Sequence, residues 1–137
     1  MDYYDNRVFA QFSRAIIEER DIVLKTPGNT SRCYCYVDDA ASAIKTILEN
    51  GENGTPYTVA NEETYCSIYD MAKMLCDCYS NGKSKVVFDI DELTANGFAP
   101  EFKMRLDCTR IKTLGWNPKV GLKEMFARTI NYMKQSK

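Results

Sequence analysis

The sequence predicts an α/β fold, with short strands set between about five amphipathic helices, and three observations carry that expectation. Apolar residues recur at helical spacing in several separate stretches. Between them lie brief runs rich in β-branched and aromatic residues, bounded by Gly, Pro and Asn. The stretch 28–44 passes from a Gly/Asn/Thr/Ser turn through an alternating run to Asp38-Asp39 and an alanine-rich segment. That order reads turn, strand, helix.

Val8, Phe9, Phe12, Ala15 and Ile16 form the stripe of a first helix within 6–19, and Ile22-Val23-Leu24 is a short strand stopped by Thr26-Pro27-Gly28. Along the next run, period-two alternation puts Cys33, Cys35 and Val37 on one side and Arg32, Tyr34 and Tyr36 on the other. One side is small and apolar; the other carries a cation and two phenols. The following helix, with Asp38 and Asp39 suited to capping it, keeps Ala40, Ala43, Ile44, Ile47 and Leu48 on one face up to Asn50-Gly51.

Tyr57-Thr58-Val59-Ala60 reads as a strand after a turn-rich loop. Ser67 and Asp70 resemble a capping box, and Ile68, Met71, Ala72, Leu75 and Tyr79 continue a third helix to Ser80-Asn81-Gly82. Val86-Val87-Phe88 is another strand, and 91–105 reads mostly as loop. Asp107 suits the start of a short helix closing at Leu114-Gly115, and Leu122, Met125, Phe126, Thr129, Ile130 and Met133 mark the last helix. No repeat or linker appears, so residues 1–137 read as one domain.

Composition narrows the function. A net charge of -1 gives no broad electrostatic grip on nucleic acid or anionic membrane. No apolar run approaches the roughly 20 residues that cross a bilayer, and no secretion leader is seen, which predicts a cytoplasmic protein. The six cysteines read as reduced thiols. Their Cys33-Tyr34-Cys35 and Cys76-Asp77-Cys78 spacings do not suit a structural zinc site, and no metal is expected.

Most catalytic templates fail. Histidine is absent, so no Ser or Cys nucleophile has its usual base, and neither G-x-G-x-x-G nor the Walker pattern occurs. Tyr69 and Lys73 have a Tyr-x-x-x-Lys spacing, but both fall on the flank of the third helix's stripe, where solvated residues belong. Arg32 is the strongest candidate for function. Its planar fork of donors suits phosphate oxygens, and it equally suits a nearby carboxylate such as Asp38 or Asp39; the residues alone leave both open.

Four blocks in order are more specific than any single motif. Arg32-Cys-Tyr-Cys-Tyr-Val-Asp-Asp39-Ala-Ala, Gly54-Thr-Pro-Tyr57-Thr-Val-Ala-Asn61-Glu62, Ser67-Ile-Tyr-Asp-Met-Ala72 and Leu106-Asp107-Cys-Thr-Arg-Ile-Lys-Thr-Leu114-Gly115-Trp116-Asn-Pro118 resemble the C-terminal part of the NAD-dependent epimerase/dehydratase family. These are extended short-chain dehydrogenases acting on nucleotide sugars, with dTDP-glucose 4,6-dehydratases and UDP-sugar epimerases as the nearest types.

The resemblance implies a small substrate-binding lobe with the Rossmann half absent, present as a fragment of an epimerase/dehydratase. In the family, that half supplies the glycine-rich NAD loop and the catalytic Tyr-x-x-x-Lys. Tyr69 and Lys73 fall in a later helix, so no catalytic residue is assigned. The chain is then expected to bind no NAD and to lack hydride chemistry alone. Arg32 resembles the arginine on the nucleotide diphosphate, Asn61 part of the strand-end loop near it, and Arg105 a second phosphate-facing arginine. Asp39 resembles an aspartate with a structural role at its helix. The implied partners are a UDP- or dTDP-linked sugar, with self-association or a separate Rossmann-domain chain covering the exposed interface. The alternative is a non-catalytic protein-interaction domain that keeps the fold.

Overall fold

The computed structural model describes residues 2–90 and 100–135. They fall in two compact units, each assembled from non-consecutive stretches: Met1–Thr30, Ser67–Phe102 and Lys123–Lys137 in the first, Ser31–Cys66 and Lys103–Leu122 in the second.

In the first unit, helix α1 (Val8–Ile17) buries Ala10, Phe12, Ala15 and Ile16, the side its sequence spacing marks as apolar. Strand β1 (Ile22–Leu24) turns Ile22 and Leu24 inward and pairs in parallel with β4 (Val86–Phe88), Ile22 opposite Val86 and Leu24 opposite Phe88. Helix α3 (Ile68–Tyr79) contributes Met71, Ala72 and Leu75, and α5 (Leu122–Gln135) contributes Met125, Phe126, Ile130 and Met133. Phe9 stacks on Phe126 with centroids 4.4 Å apart and planes 3° from parallel.

The start of α3 shows why its boundary was legible. Ser67 Oγ accepts from Asp70 N at 2.9 Å and donates to Asp70 Oδ2 at 2.7 Å, a reciprocal cap. The Ile68 and Tyr69 amides donate to the carbonyls of Thr30 and Gly28, both at 3.1 Å. Gly28 has φ +75°, and a Cβ there would stand 2.9 Å from Tyr69 N, so only glycine fits. The amides of Ile68, Tyr69 and Asp70 at the helix start are thus satisfied from within the chain.

The second unit is built on a three-stranded sheet in the order β3-β2-β5, with β2 (Ser31–Tyr34) in the middle, β3 (Asn61–Ser67) on one side and β5 (Lys103–Met104) on the other. Strand β5 runs parallel to β2, Arg32 opposite Met104. Cys33, Ala43, Ala60, Cys108, Ile111 and Trp116 form the buried core, with Ile47, Tyr57 and Val59 packed against it. Trp116 Nε1 donates to Ser42 Oγ at 2.9 Å, so the indole is buried with its polar atom paired. The short helix α4 (Thr109–Lys112) brings in Ile111, and Asp107 Oδ1 accepts from Thr109 N at 2.8 Å beside its start.

Four local expectations change. Strand β2 ends at Tyr34, and α2 (Val37–Asn50) begins at Val37, so Val37 is helical and exposed rather than sharing a strand face with Cys33 and Cys35. Asp38 and Asp39 lie inside the first turn of α2, whose N-cap is Tyr36. Asp39 does not cap its own helix, because its buried carboxylate accepts from Lys119 N at 3.0 Å and Val120 N at 2.9 Å. Among the described residues Tyr57–Ala60 belong to no strand; side chains hold this stretch instead, Arg110 Nη1 donating to Pro56 O and Cys108 Sγ to Ala60 O. The strand lies one step later, at Asn61–Ser67, where Thr64 Oγ1 accepts from Tyr34 N at 2.7 Å. Much of the stretch read as loop, 91–99, lies outside the described residues, and Lys103–Met104 within 91–105 is the short strand β5.

Two polar contacts of this unit have measurable consequences. Asp39→Ala leaves two amides without acceptors and is expected to destabilise the fold by about 2–4 kcal/mol, with Asp39→Asn losing less because one acceptor oxygen remains. Urea unfolding checks this, and an alanine variant within about 0.5 kcal/mol of wild type contradicts it. Glu62 pairs with Lys112 and accepts from Cys108 N at 3.1 Å, and these two contacts, the lysine first, hold its carboxyl below the ordinary glutamate value. A depressed carboxyl pKa stabilises the fold above the unfolded value, and that contribution is lost as pH falls through the folded value. Glu62→Gln is therefore expected to flatten the acid side of the stability–pH curve while leaving its alkaline side unchanged.

Candidate functional site

The middle strand of the second unit carries the site because β2 is flanked on both edges. Arg32 is half-buried there, at the strand's second position, with Met104 of β5 opposite it. Arg105 follows directly after β5, the strand beside β2. Tyr34 lies two residues along from Arg32. Burial pushes its phenol up to about 12, with the Cys66 thiol adding to the effect and the Arg32 charge opposing it. Tyr34 is thus a neutral hydroxyl near neutral pH and no base. Burial also pushes the Cys35 thiol up to about 11, which keeps it an inert thiol rather than a nucleophile.

Arg105 is exposed, and its guanidinium carbon stands 4.7 Å from the centre of the Tyr65 ring. A cation over a ring face is held electrostatically and by stacking, which orients the planar fork without occupying its hydrogen-bond donors. Beside it opens a shallow hollow of about 530 Å³ lined by Glu62, Glu63, Arg105, Leu106 and Asp107. Three carboxylates share this hollow with one arginine. Lys112 offsets Glu62, and the Asp107 carboxyl is lowered chiefly by its contacts with Thr109.

Asn61 opens β3 and is buried, only 4 % exposed. Its Nδ2 donates to Val120 O at 3.0 Å and its Oδ1 accepts from Glu63 N at 3.1 Å. Both ends of the amide are committed within the chain. Of the three predicted site residues, Arg32 lies on the middle strand, Asn61 opens β3 on one side of it as a brace, and Arg105 stands just past the end of β5 on the other. Tyr65, Glu62 and Glu63 are the site residues that sequence reasoning passed over. Reading 61–67 with period two would have placed Asn61, Glu63 and Tyr65 on one side of a strand, but its polar composition reads as loop.

Tyr69 and Lys73 lie in the first unit, where both line a shallow groove of about 430 Å³ with Cys76, Ser84 and Lys85. Tyr69 stacks against Phe88 with centroids 5.7 Å apart, and Lys73 pairs with Asp77 at 2.8 Å. That contact with Asp77 raises the lysine's pKa, leaving it a paired cation. Among the described residues no three Cys, Asp or Glu side chains come together as a metal-binding group, and no helix is long and apolar enough to cross a membrane.

With this geometry in place, comparison with known proteins is informative. Residues 2–61 match the model of the NAD dependent epimerase/dehydratase family. The UDP-D-apiose/UDP-D-xylose synthase of Oryza sativa subsp. japonica is 29 % identical over 140 residues, covering 95 % of this chain and 35 % of that protein. The dTDP-D-glucose 4,6-dehydratase of Bos taurus is 23 % identical over 138 residues, covering 97 % of this chain and 38 % of that protein. Among solved structures, the UDP-glucose 4-epimerase of Thermotoga maritima with UDP-glucose superposes with a TM-score of 0.79 at 24 % identity, over 97 % of this chain and 41 % of that one. The chain thus spans about a third of the length of the curated relatives it matches. Over residues 2–61 the chain is thus similar in sequence to the NAD-dependent epimerase/dehydratase family, and over nearly its whole length it has the fold of part of a solved UDP-glucose 4-epimerase.

Proposed function

We propose that this chain is the substrate-binding part of an NAD-dependent nucleotide-sugar epimerase or dehydratase, holding the diphosphate of a UDP- or dTDP-linked sugar through Arg32. The observation that carries this reading is the position of Arg32, half-buried on the middle strand of a sheet whose next strand leads into Arg105. A guanidinium in that setting is weakly hydrated and only partly screened, so a bidentate bond to phosphate oxygens is stronger there than at an open surface. Arg105, oriented by Tyr65, is the second cation in reach of an extended anionic ligand. Asn61 serves by positioning β3 rather than by touching the ligand.

Relatives in sequence include UDP- and dTDP-sugar enzymes, which supports the ligand class. The chain contains no G-x-G-x-x-G loop, and its Tyr-x-x-x-Lys spacing is spent on a stacking contact and an ion pair. In this reading the dinucleotide and the hydride step belong to a Rossmann half outside these residues, and the chain alone binds without turning over.

Calorimetric titration with UDP- and dTDP-sugars tests the reading. Arg32→Ala is expected to weaken binding by about 10- to 100-fold, the loss of a charge-assisted bidentate contact of roughly 1.5–3 kcal/mol. Arg105→Ala is expected to weaken it less, since that side chain is exposed. Absence of binding by wild type, or an Arg32→Ala variant that folds and binds unchanged, overturns the assignment.

A further inference from the structure

Asn-Gly is the sequence at which a polypeptide most easily attacks itself, because glycine has no Cβ to shield the amide nitrogen that follows the asparagine. Three such pairs lie within the described residues, Asn50-Gly51, Asn53-Gly54 and Asn81-Gly82; a fourth, at 96–97, lies outside them. All three asparagines are exposed, so access to water does not separate them. The glycine amides do.

Gly51 N donates to Ile47 O at 2.8 Å, closing the end of α2. Gly82 N donates to Ser80 Oγ at 3.2 Å, and the next amide, Lys83 N, donates to Ser80 O at 3.0 Å. Each of these glycine nitrogens must leave a hydrogen bond before it can act as a nucleophile. Gly54 N has no such bond among the described residues. Asn53 and Gly54 are the two central residues of a turn whose closing contact, Thr55 N to Glu52 O, is long at 3.2 Å. Gly54 has φ +76°, and a Cβ placed on it would meet no atom within 4 Å. Open space and one weak closing bond leave the turn able to rotate about the Asn53 Cα–C bond, as ring closure requires.

We propose that Asn53 is a site of spontaneous covalent modification, converted through a cyclic imide to isoaspartate and aspartate. The Gly54 amide nitrogen bonds to Asn53 Cγ; the Cγ–Nδ2 bond breaks, and the side-chain nitrogen leaves as ammonia with the proton that Gly54 N gives up. Water then opens the ring. Attack at the main-chain carbonyl carbon of Asn53 gives isoaspartate, with the peptide link running through Cγ, and attack at Cγ gives aspartate. No oxidant, reductant or partner is needed, because the reacting atoms belong to neighbouring residues. Either product adds a negative charge beside Glu52. Isoaspartate also lengthens the main chain between α2 and Tyr57, whose hydroxyl accepts from Glu52 N at 3.0 Å. This inference is independent of the nucleotide-sugar reading, since no residue of the turn belongs to the candidate ligand site.

Incubation of the purified chain at mildly alkaline pH, followed by digestion and electron-transfer fragmentation, tests it. The fragments locate each conversion and separate isoaspartate from aspartate. In the folded chain Asn53 is expected to convert at least about 5-fold faster than Asn50 and Asn81, the protection that one hydrogen bond to the glycine amide supplies. In urea the three rates are expected to converge to within about 3-fold, because only the residues around each pair then differ. Ser80→Ala removes the acceptor of Gly82 N and is expected to speed conversion at Asn81 by about 3- to 10-fold, with Asn50 and Asn53 held within about 2-fold as the sign that the fold persists. Conversion at Asn50 or Asn81 as fast as at Asn53 in the folded chain overturns the proposal. So does a lead for Asn53 that survives in urea, an Asn81 rate indifferent to Ser80→Ala, or product at Asn53 that is aspartate alone.

Discussion

Val120 is gripped from two directions, and the sheet that carries the site depends on that grip. Asp39, buried at 4 % exposure, accepts the Val120 amide while Asn61 donates to the Val120 carbonyl. One carboxylate and one carboxamide thereby tie the start of α2, the start of β3 and the stretch 119–120 into a single joint. A buried carboxylate is tolerable only because two amides solvate it in place of water. The strand that carries Arg32 leads into this joint, so the position of β2 is fixed by polar contacts as much as by the apolar core of Cys33, Ala43, Cys108, Ile111 and Trp116.

Elements stabilised by their own local pattern were legible in the sequence. α1, α3 and α5 each show an apolar stripe that the fold buries, and β1 and β4 are short β-branched runs closed by turns. What was not legible depends on partners far along the chain. Asn-Glu-Glu-Thr-Tyr-Cys-Ser has the composition of a loop and becomes β3 because β2 lies beside it, with Thr64 bonded to Tyr34. Tyr57–Ala60 has the composition of a strand and forms none among the described residues, because no neighbouring strand pairs with it there. Asp39 looks like a cap from its neighbours alone; its two acceptor contacts lie about 80 positions away in sequence. Ile44 and Leu48 satisfy a core-facing period yet face outward, since a hydrophobic period identifies a face without saying what covers it.

The same division runs through the candidate site. Arg32 stood out because an arginine in an otherwise apolar and aromatic strand needs an anionic counterpart, and the sheet places it on the central strand, half-buried. Asn61 was legible as a position of consequence, but its structural partners came only with the fold. Arg105 was located by resemblance, and the ring of Tyr65 that orients it was invisible to local pattern. On the proposed reading, hydroxyl groups of the ligand would meet the carboxylates of Glu62, Glu63 and Asp107 in the hollow beside Arg105, with phosphate toward the arginine. A sugar joined to a diphosphate has that polarity.

A crystal structure of the chain grown with a UDP-sugar tests the central claim most directly. The account predicts diphosphate oxygens within about 2.7–3.2 Å of the Arg32 guanidinium nitrogens, with the sugar toward the carboxylate-lined hollow. Density for the nucleotide elsewhere on the molecule, with the Arg32 guanidinium bonded only to protein groups, would contradict it.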